Sequence, residues 1–150
     1  MLKGIDTRLP ADVLHALHAM GHGDHLIVAD ANFPAETVGR QTIWGEALRM
    51  DNVTTPQAVE AILTVFPLDT FVDDFAGRME VVGAPDEIPP VVAEIQSAID
   101  AAEGQRRPMK AFERFAFYDM AETAFAVILT GERRFYGNAM LRKGVIPPEA

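Results

Sequence analysis

A chain of 150 residues with 49% apolar content is long enough for one domain with a real core. The absence of cysteine excludes a disulfide scaffold and any thiolate metal site or nucleophile. A formal charge of −9, with the thirteen basic residues scattered, lacks the clustered Lys and Arg that phosphate binding needs, so no nucleic-acid partner is expected.

The lack of cysteine suits a cytoplasmic setting. No window approaches the roughly 18 apolar residues of a membrane span. Met1-Leu2-Lys3-Gly4-Ile5-Asp6 contains no long apolar stretch, so no signal peptide is expected.

The first predicted helix runs from Pro10 to about Met20. Val13, Leu14, Leu17 and Met20 fall on one stripe, with His15 and His18 opposite. Gly21 is placed to end it as a C′ glycine. Asp24 to Ala29 reads as a buried strand, and Leu48 to Asn52 as a weaker one. A second helix is capped by Thr54 or Thr55, has Pro56 in its first turn, and carries Val59, Ile62, Leu63 and Phe66 as its stripe. Phe75 to Val82 reads as a strand stopped by Gly83-Ala84-Pro85. Pro89-Pro90 opens a third helix, with Val92, Ile95 and Ile99 inward, that ends before Gly104. Phe115 to about Thr123 is helical. Phe125 to Thr130 is a buried strand closed by Gly131, and Ala139 to Arg142 a short final one. Alternating strands and helices predict a single α/β domain over 1–150, a three-layer α/β/α sandwich around a mixed, largely parallel sheet. In such sheets ligands sit beyond the carboxyl ends of strands, where Asp30 and the Thr130-Gly131 corner fall.

Met20-Gly21-His22-Gly23-Asp24-His25 places a histidine between two glycines at the start of the run Leu26-Ile27-Val28-Ala29, which ends on Asp30. Glycines permit close approach and positive φ, and an imidazole titrates near neutrality, as a proton shuttle must. His15, His18, His22 and His25 fall within eleven residues and raise the question of a metal. Gly21 and Gly23 break the helix, so no continuous ligand face is expected, and no metal or cofactor. Asp30 reads equally as an Asx-turn residue or as a ligand. Glu113-Arg114-Phe115-Ala116-Phe117-Tyr118 surrounds an arginine with aromatics, as a packed helix or a binding wall. Tyr136-Gly137-Asn138 offers a phenol and an amide across a glycine, suitable partners for a polyol.

In order and across nearly the whole chain, these stretches resemble the L-fucose mutarotase and D-ribose pyranase family. The matching segments are Met20-Gly21-His22-Gly23-Asp24, Asp30-Ala31-Asn32-Phe33-Pro34, Arg114-Phe115-Ala116-Phe117-Tyr118, Thr130-Gly131-Glu132, Tyr136-Gly137-Asn138 and Leu141-Arg142-Lys143-Gly144-Val145. Gly-His-Gly-Asp and the arginine-aromatic block look like the fucose branch. The resemblance implies that His22 is the catalytic acid and that Asp30, Arg114, Tyr136, Gly137 and Asn138 hold a monosaccharide. It further implies a ring-shaped homo-oligomer, often a decamer, with each site completed by a neighbouring subunit. Asn32 stands where a histidine is also familiar, which leaves the sugar preference open; His25 has no assigned role.

Interconversion of anomers needs a proton on the ring oxygen as one leaves the anomeric hydroxyl. General acid–base catalysis of that kind is worth about 10²–10⁴-fold, and His22 suits it without metal or cofactor. Tyr136 could relay or orient the second proton, although a phenol with the ordinary pKa near 10 is a poor base at pH 7. The competing readings are a ribose pyranase, a non-catalytic sugar-binding protein, and a metal-binding protein built on the histidines.

Overall fold

The computed structural model describes residues 1–149. Its elements, in chain order, are α1 (Ala11–Ala19), β1 (His25–Ala29), α2 (Ala35–Gly39), β2 (Ala47–Met50), α3 (Thr55–Leu63), β3 (Ala76–Met79), α4 (Pro90–Glu103), β4 (Lys110–Phe112), α5 (Arg114–Glu122), β5 (Ala126–Thr130) and β6 (Ala139–Arg142). The strands form one sheet in the order β2-β5-β1-β6-β3-β4. Five of them share a direction, and β6 runs against both its neighbours. The sheet is therefore mixed and largely parallel, as expected.

β1 explains the layering. Its side chains alternate between faces, and both faces are covered, so the run is apolar throughout. Leu26 and Val28 pack with α1, α3 and α4 on one side, whereas Ile27 and Ala29 pack with α2 and α5 on the other. This is the three-layer α/β/α sandwich. Among the described residues no helix is long and apolar enough to cross a membrane.

α3 follows its sequence closely. The Thr54 hydroxyl accepts from the Gln57 N–H and the Gln57 side chain accepts from the Thr54 N–H, a reciprocal capping box. Phe66 lies beyond the end of α3 yet stays buried, its N–H on the Ile62 carbonyl at 3.0 Å. α4 ends at Gly104, which takes φ 70 as a C-terminal glycine does.

Elsewhere the structure corrects the reading. α1 ends on Met20 in an extended conformation, so Gly21 is not its left-handed terminator; the positive φ of 87 falls on Gly23. β3 spans only Ala76–Met79, because the chain turns away at Val81, which bridges Ala84. α5 begins at Arg114, with the Glu113 carboxylate accepting from the Phe115 and Ala116 N–H groups. α2 and β4 were not anticipated. α2 has five residues, too few for a helical period, and β4 has three, of which Lys110 is exposed.

Candidate active site

Because β6 runs antiparallel to β1, with Ala139 opposite Val28, the residue before β6 lies beside the residue after β1. That register joins Asn138 to Asp30. The Asp30 N–H donates to Asn138 Oδ1 at 2.8 Å, and Asn138 Nδ2 donates to Asp30 Oδ2 at 3.2 Å. Asp30 Oδ1 accepts from the Asn32 N–H at 3.0 Å, the Asx turn its position suggested. Burial pushes the Asp30 carboxyl above the ordinary range, opposed by the N–H groups of Asn32, Phe33 and Gly137 and by the Asn138 amide.

Asp30 and Asn138 form the floor of a cleft of about 200 Å³. Arg114 and Tyr118, one turn apart on α5, supply a wall, with the guanidinium 5.8 Å from the Tyr118 ring. Among the described residues no carboxylate forms an ion pair with Arg114, so its donors remain available. Tyr136 takes φ 65, and its phenol oxygen accepts from the Val82 N–H at 3.2 Å, which leaves its own hydrogen to donate. Phe33, Met79 and Val82 add an apolar side. The cleft thus combines a carboxylate acceptor, an amide, a phenol and a guanidinium with one greasy face. The volume is below the roughly 300–1,000 Å³ that accommodates drug-sized ligands, as a single sugar ring would require.

His22 is not in this cleft. It precedes β1 while Asp30 follows it, and five residues at ~3.3 Å each put about 15 Å between the two ends. At its own end His22 Nε2 lies 3.2 Å from Asp69 Oδ2. A carboxylate only accepts, so Nε2 carries the hydrogen and Nδ1 is left free. Asp69 is buried and tightly held: its N–H donates to the Arg142 carbonyl, its own carbonyl accepts from Arg107 Nη2, and its Oδ1 accepts from the Phe71 N–H, each at 3.0 Å. The exposed Phe71 ring meets the His22 ring edge-on, 5.7 Å between centroids. Gly21 and Gly23 fix the loop through their N–H groups, on Asp24 Oδ2 at 2.8 Å and the Lys143 carbonyl at 2.9 Å.

Residues 3–146 match the RbsD / FucU transport protein family. The chain belongs to this family. The fucose mutarotase of Danio rerio is 43% identical over 99% of this chain and 97% of its own length. The crystal structure of protein Atu2016 superposes with a TM-score of 0.96 at 58% identity, covering 98% of this chain and 97% of that one. The fucose mutarotase of Streptococcus pneumoniae, solved in complex with L-fucose, gives 0.87 at 33% identity, covering 97% and 100%.

In this RbsD/FucU family member the cleft brings together Asp30, Arg114, Tyr136 and Asn138 of the residues singled out in the sequence. Gly137 stands behind them. It is buried, its carbonyl accepts from Thr55 Oγ1 at 2.6 Å, and an added Cβ would lie 2.7 Å from Glu132 Cγ, so packing requires a glycine there. Phe115 is 68% exposed instead of packing inward, whereas Phe117 is fully buried. The four histidines do not converge. His15 and His18 are exposed on α1, and His25 Nε2 donates to the Met120 carbonyl at 2.7 Å, tying β1 to α5. Among the described residues no group of three or more metal-ligating side chains is found. Sequence reasoning missed Asp69: it ends the apolar stretch Val65-Phe66-Pro67-Leu68, but Phe66 falls on a predicted helical stripe and no glycine pair flanks the carboxylate.

Proposed function

We propose that this protein is an L-fucose mutarotase, an isomerase that interconverts the α and β anomers by opening and closing the sugar ring. The observation that carries the reading is the cleft, whose polyol-binding set of Asp30, Arg114, Tyr136 and Asn138 faces an apolar side of Phe33, Met79 and Val82. That side suits a sugar with a methyl group and favours fucose over the alternative, D-ribose.

Ring opening takes the proton of the anomeric hydroxyl and delivers one to the ring oxygen as the C1–O bond breaks. Rotation about C1–C2 and closure on the other face of the aldehyde gives the other anomer. His22 is the proton carrier, exchanging through Nδ1 while Asp69 holds Nε2–H. Arg114 and Asp30 hold the hydroxyls, and Tyr136 orients or relays the second proton.

Since His22 lies a strand length from the cleft of its own chain, a second copy supplies it. Exposed apolar side chains beside both half-sites support this: Phe71 next to His22, and Val82, Phe115 and Phe135 around the cleft. The reading extends to the ring-shaped homo-oligomer, a decamer, that the family resemblance implies, and to the cytoplasmic setting that the absence of cysteine suits.

Saturation-transfer NMR tests it. Irradiating the α-anomer proton of L-fucose should deplete the β signal in the presence of protein and EDTA. Unchanged exchange for fucose, ribose and galactose alike would leave a sugar-binding protein without catalysis.

A further inference from the structure

The turn between β5 and β6 carries a polar assembly that the chemistry above leaves unused. Glu132 is 2% exposed, and one arginine takes both of its carboxylate oxygens. Arg134 donates from Nε to Oε1 at 2.9 Å, from Nη2 to Oε2 at 3.0 Å, and from its backbone N–H to Oε1 at 3.0 Å. The same guanidinium reaches Glu94 on α4, with Nη1 on Oε1 at 2.9 Å and Nη2 on Oε2 at 2.8 Å. A planar fork can engage two carboxylates at once; an ammonium cannot. Burial works against the charge on Glu132, and the bonds from Arg134 outweigh it, so the carboxyl stays below its ordinary value.

The assembly sits under the strained point of the chain. Tyr136 is the only non-glycine residue with positive φ among the described residues. Such a conformation is strained and persists only where the surroundings over-determine it. Glu132 fills the inside of that turn, touching the Gly137 backbone closely enough to leave no room for a Cβ. The outer end of the turn is Tyr136, whose phenol lines the cleft.

We propose that Arg134, clamped between Glu132 and Glu94, is a positioning residue for the sugar site, holding the 132–137 turn so that the Tyr136 hydroxyl stays in the cleft. This rests on the reading of that cleft as the sugar site. An exposed ion pair alone contributes little. Here the Glu132 arm is buried, and the strain at Tyr136 supplies something for the clamp to hold.

A double-mutant cycle separates positioning from general stability. Tyr136→Phe removes only the hydroxyl. Arg134→Met in the natural background should lower L-fucose exchange roughly tenfold, and in the Tyr136→Phe background it should lower exchange less than about twofold further. The loss of thermal stability should be the same in both backgrounds. Equal fold-losses of exchange in both, or no loss in the natural background, would overturn the proposal. Glu94→Ala breaks only the exposed arm and covers the case in which Arg134→Met does not fold; it should show a smaller loss with the same dependence on the Tyr136 hydroxyl. If Tyr136→Phe itself leaves exchange unchanged, the assignment of Tyr136 to the site fails, and the clamp's role falls with it. If Tyr136→Phe lowers exchange and neither clamp variant does, only the clamp is refuted.

Discussion

His22 has a side chain 47% exposed beside an Asp69 side chain only 3% exposed, an open imidazole steadied by a buried acceptor, as the proposed proton carrier requires. Replacing His22 with alanine should reduce anomer exchange by about 10²–10⁴-fold while the circular dichroism spectrum stays unchanged. His15→Ala and His18→Ala should leave exchange at the natural rate, since neither lines the cleft nor bonds to Asp69. Comparable losses from all three would return the metal reading. Arg114→Ala should weaken fucose binding, read as a raised KM in exchange titrations. How far single residues were legible depended on their neighbours in the chain. His22 stood out through its two glycines and Asp30 through the apolar run it ends. Asp69 owes its role to the carbonyls and N–H groups of Arg107, Arg142 and Phe71. Two of those residues are more than thirty positions away, so the apolar stretch that Asp69 ends gives no sign of the partners that hold it.

At the level of elements, β1 and α5 are joined through His25, and burial holds that imidazole below its ordinary value of 6.5, against the pull of the Met120 carbonyl. The unfolded chain therefore takes up this proton first as pH falls. The contribution to stability is fully present above pH 6.5 and is lost as pH drops through the depressed folded value. Thermal unfolding between pH 7.5 and 5 should show that decline, and His25→Gln, which keeps a donor for Met120 but does not titrate, should flatten it. A steeper decline in the variant would exclude His25 as a source. Gly131 closes β5 against backbone: an added Cβ would lie 2.2 Å from the Asp51 carbonyl oxygen. No rotamer relieves that contact, so Gly131→Ala should destabilise by about 1–3 kcal/mol in urea unfolding. Elements with a full period of apolar residues were legible with their caps, as α3 and α4 show. α2 and β4 were not, because a single turn or three residues on a sheet edge take their shape from tertiary neighbours.

For the whole molecule, light scattering should give an assembly well above a dimer; a stable, fully active species of 16.4 kDa would contradict the shared site. Mixing tests the sharing directly. At a fucose concentration far below the raised KM of Arg114→Ala, where each variant alone is slow, His22→Ala and Arg114→Ala chains refolded together in equal amounts should regain about a quarter of natural exchange, because a quarter of random pairings unite an intact cleft with an intact histidine. No recovery would place each site within one chain. The sequence placed His22 and Asp30 at opposite ends of one strand but could not say whether the chain folds back to join them; only the sheet shows that it does not. Five residues of β1 thereby set a rule of counting. Under the proposed sharing, a lone chain owns two halves and no whole. An open head-to-tail string always has one fewer whole than it has members, with an unused half stranded at each tip. Any closed arrangement, whether a two-fold pair or a ring, wastes none, so with the proposed sharing closure itself would be worth one extra turnover centre per particle.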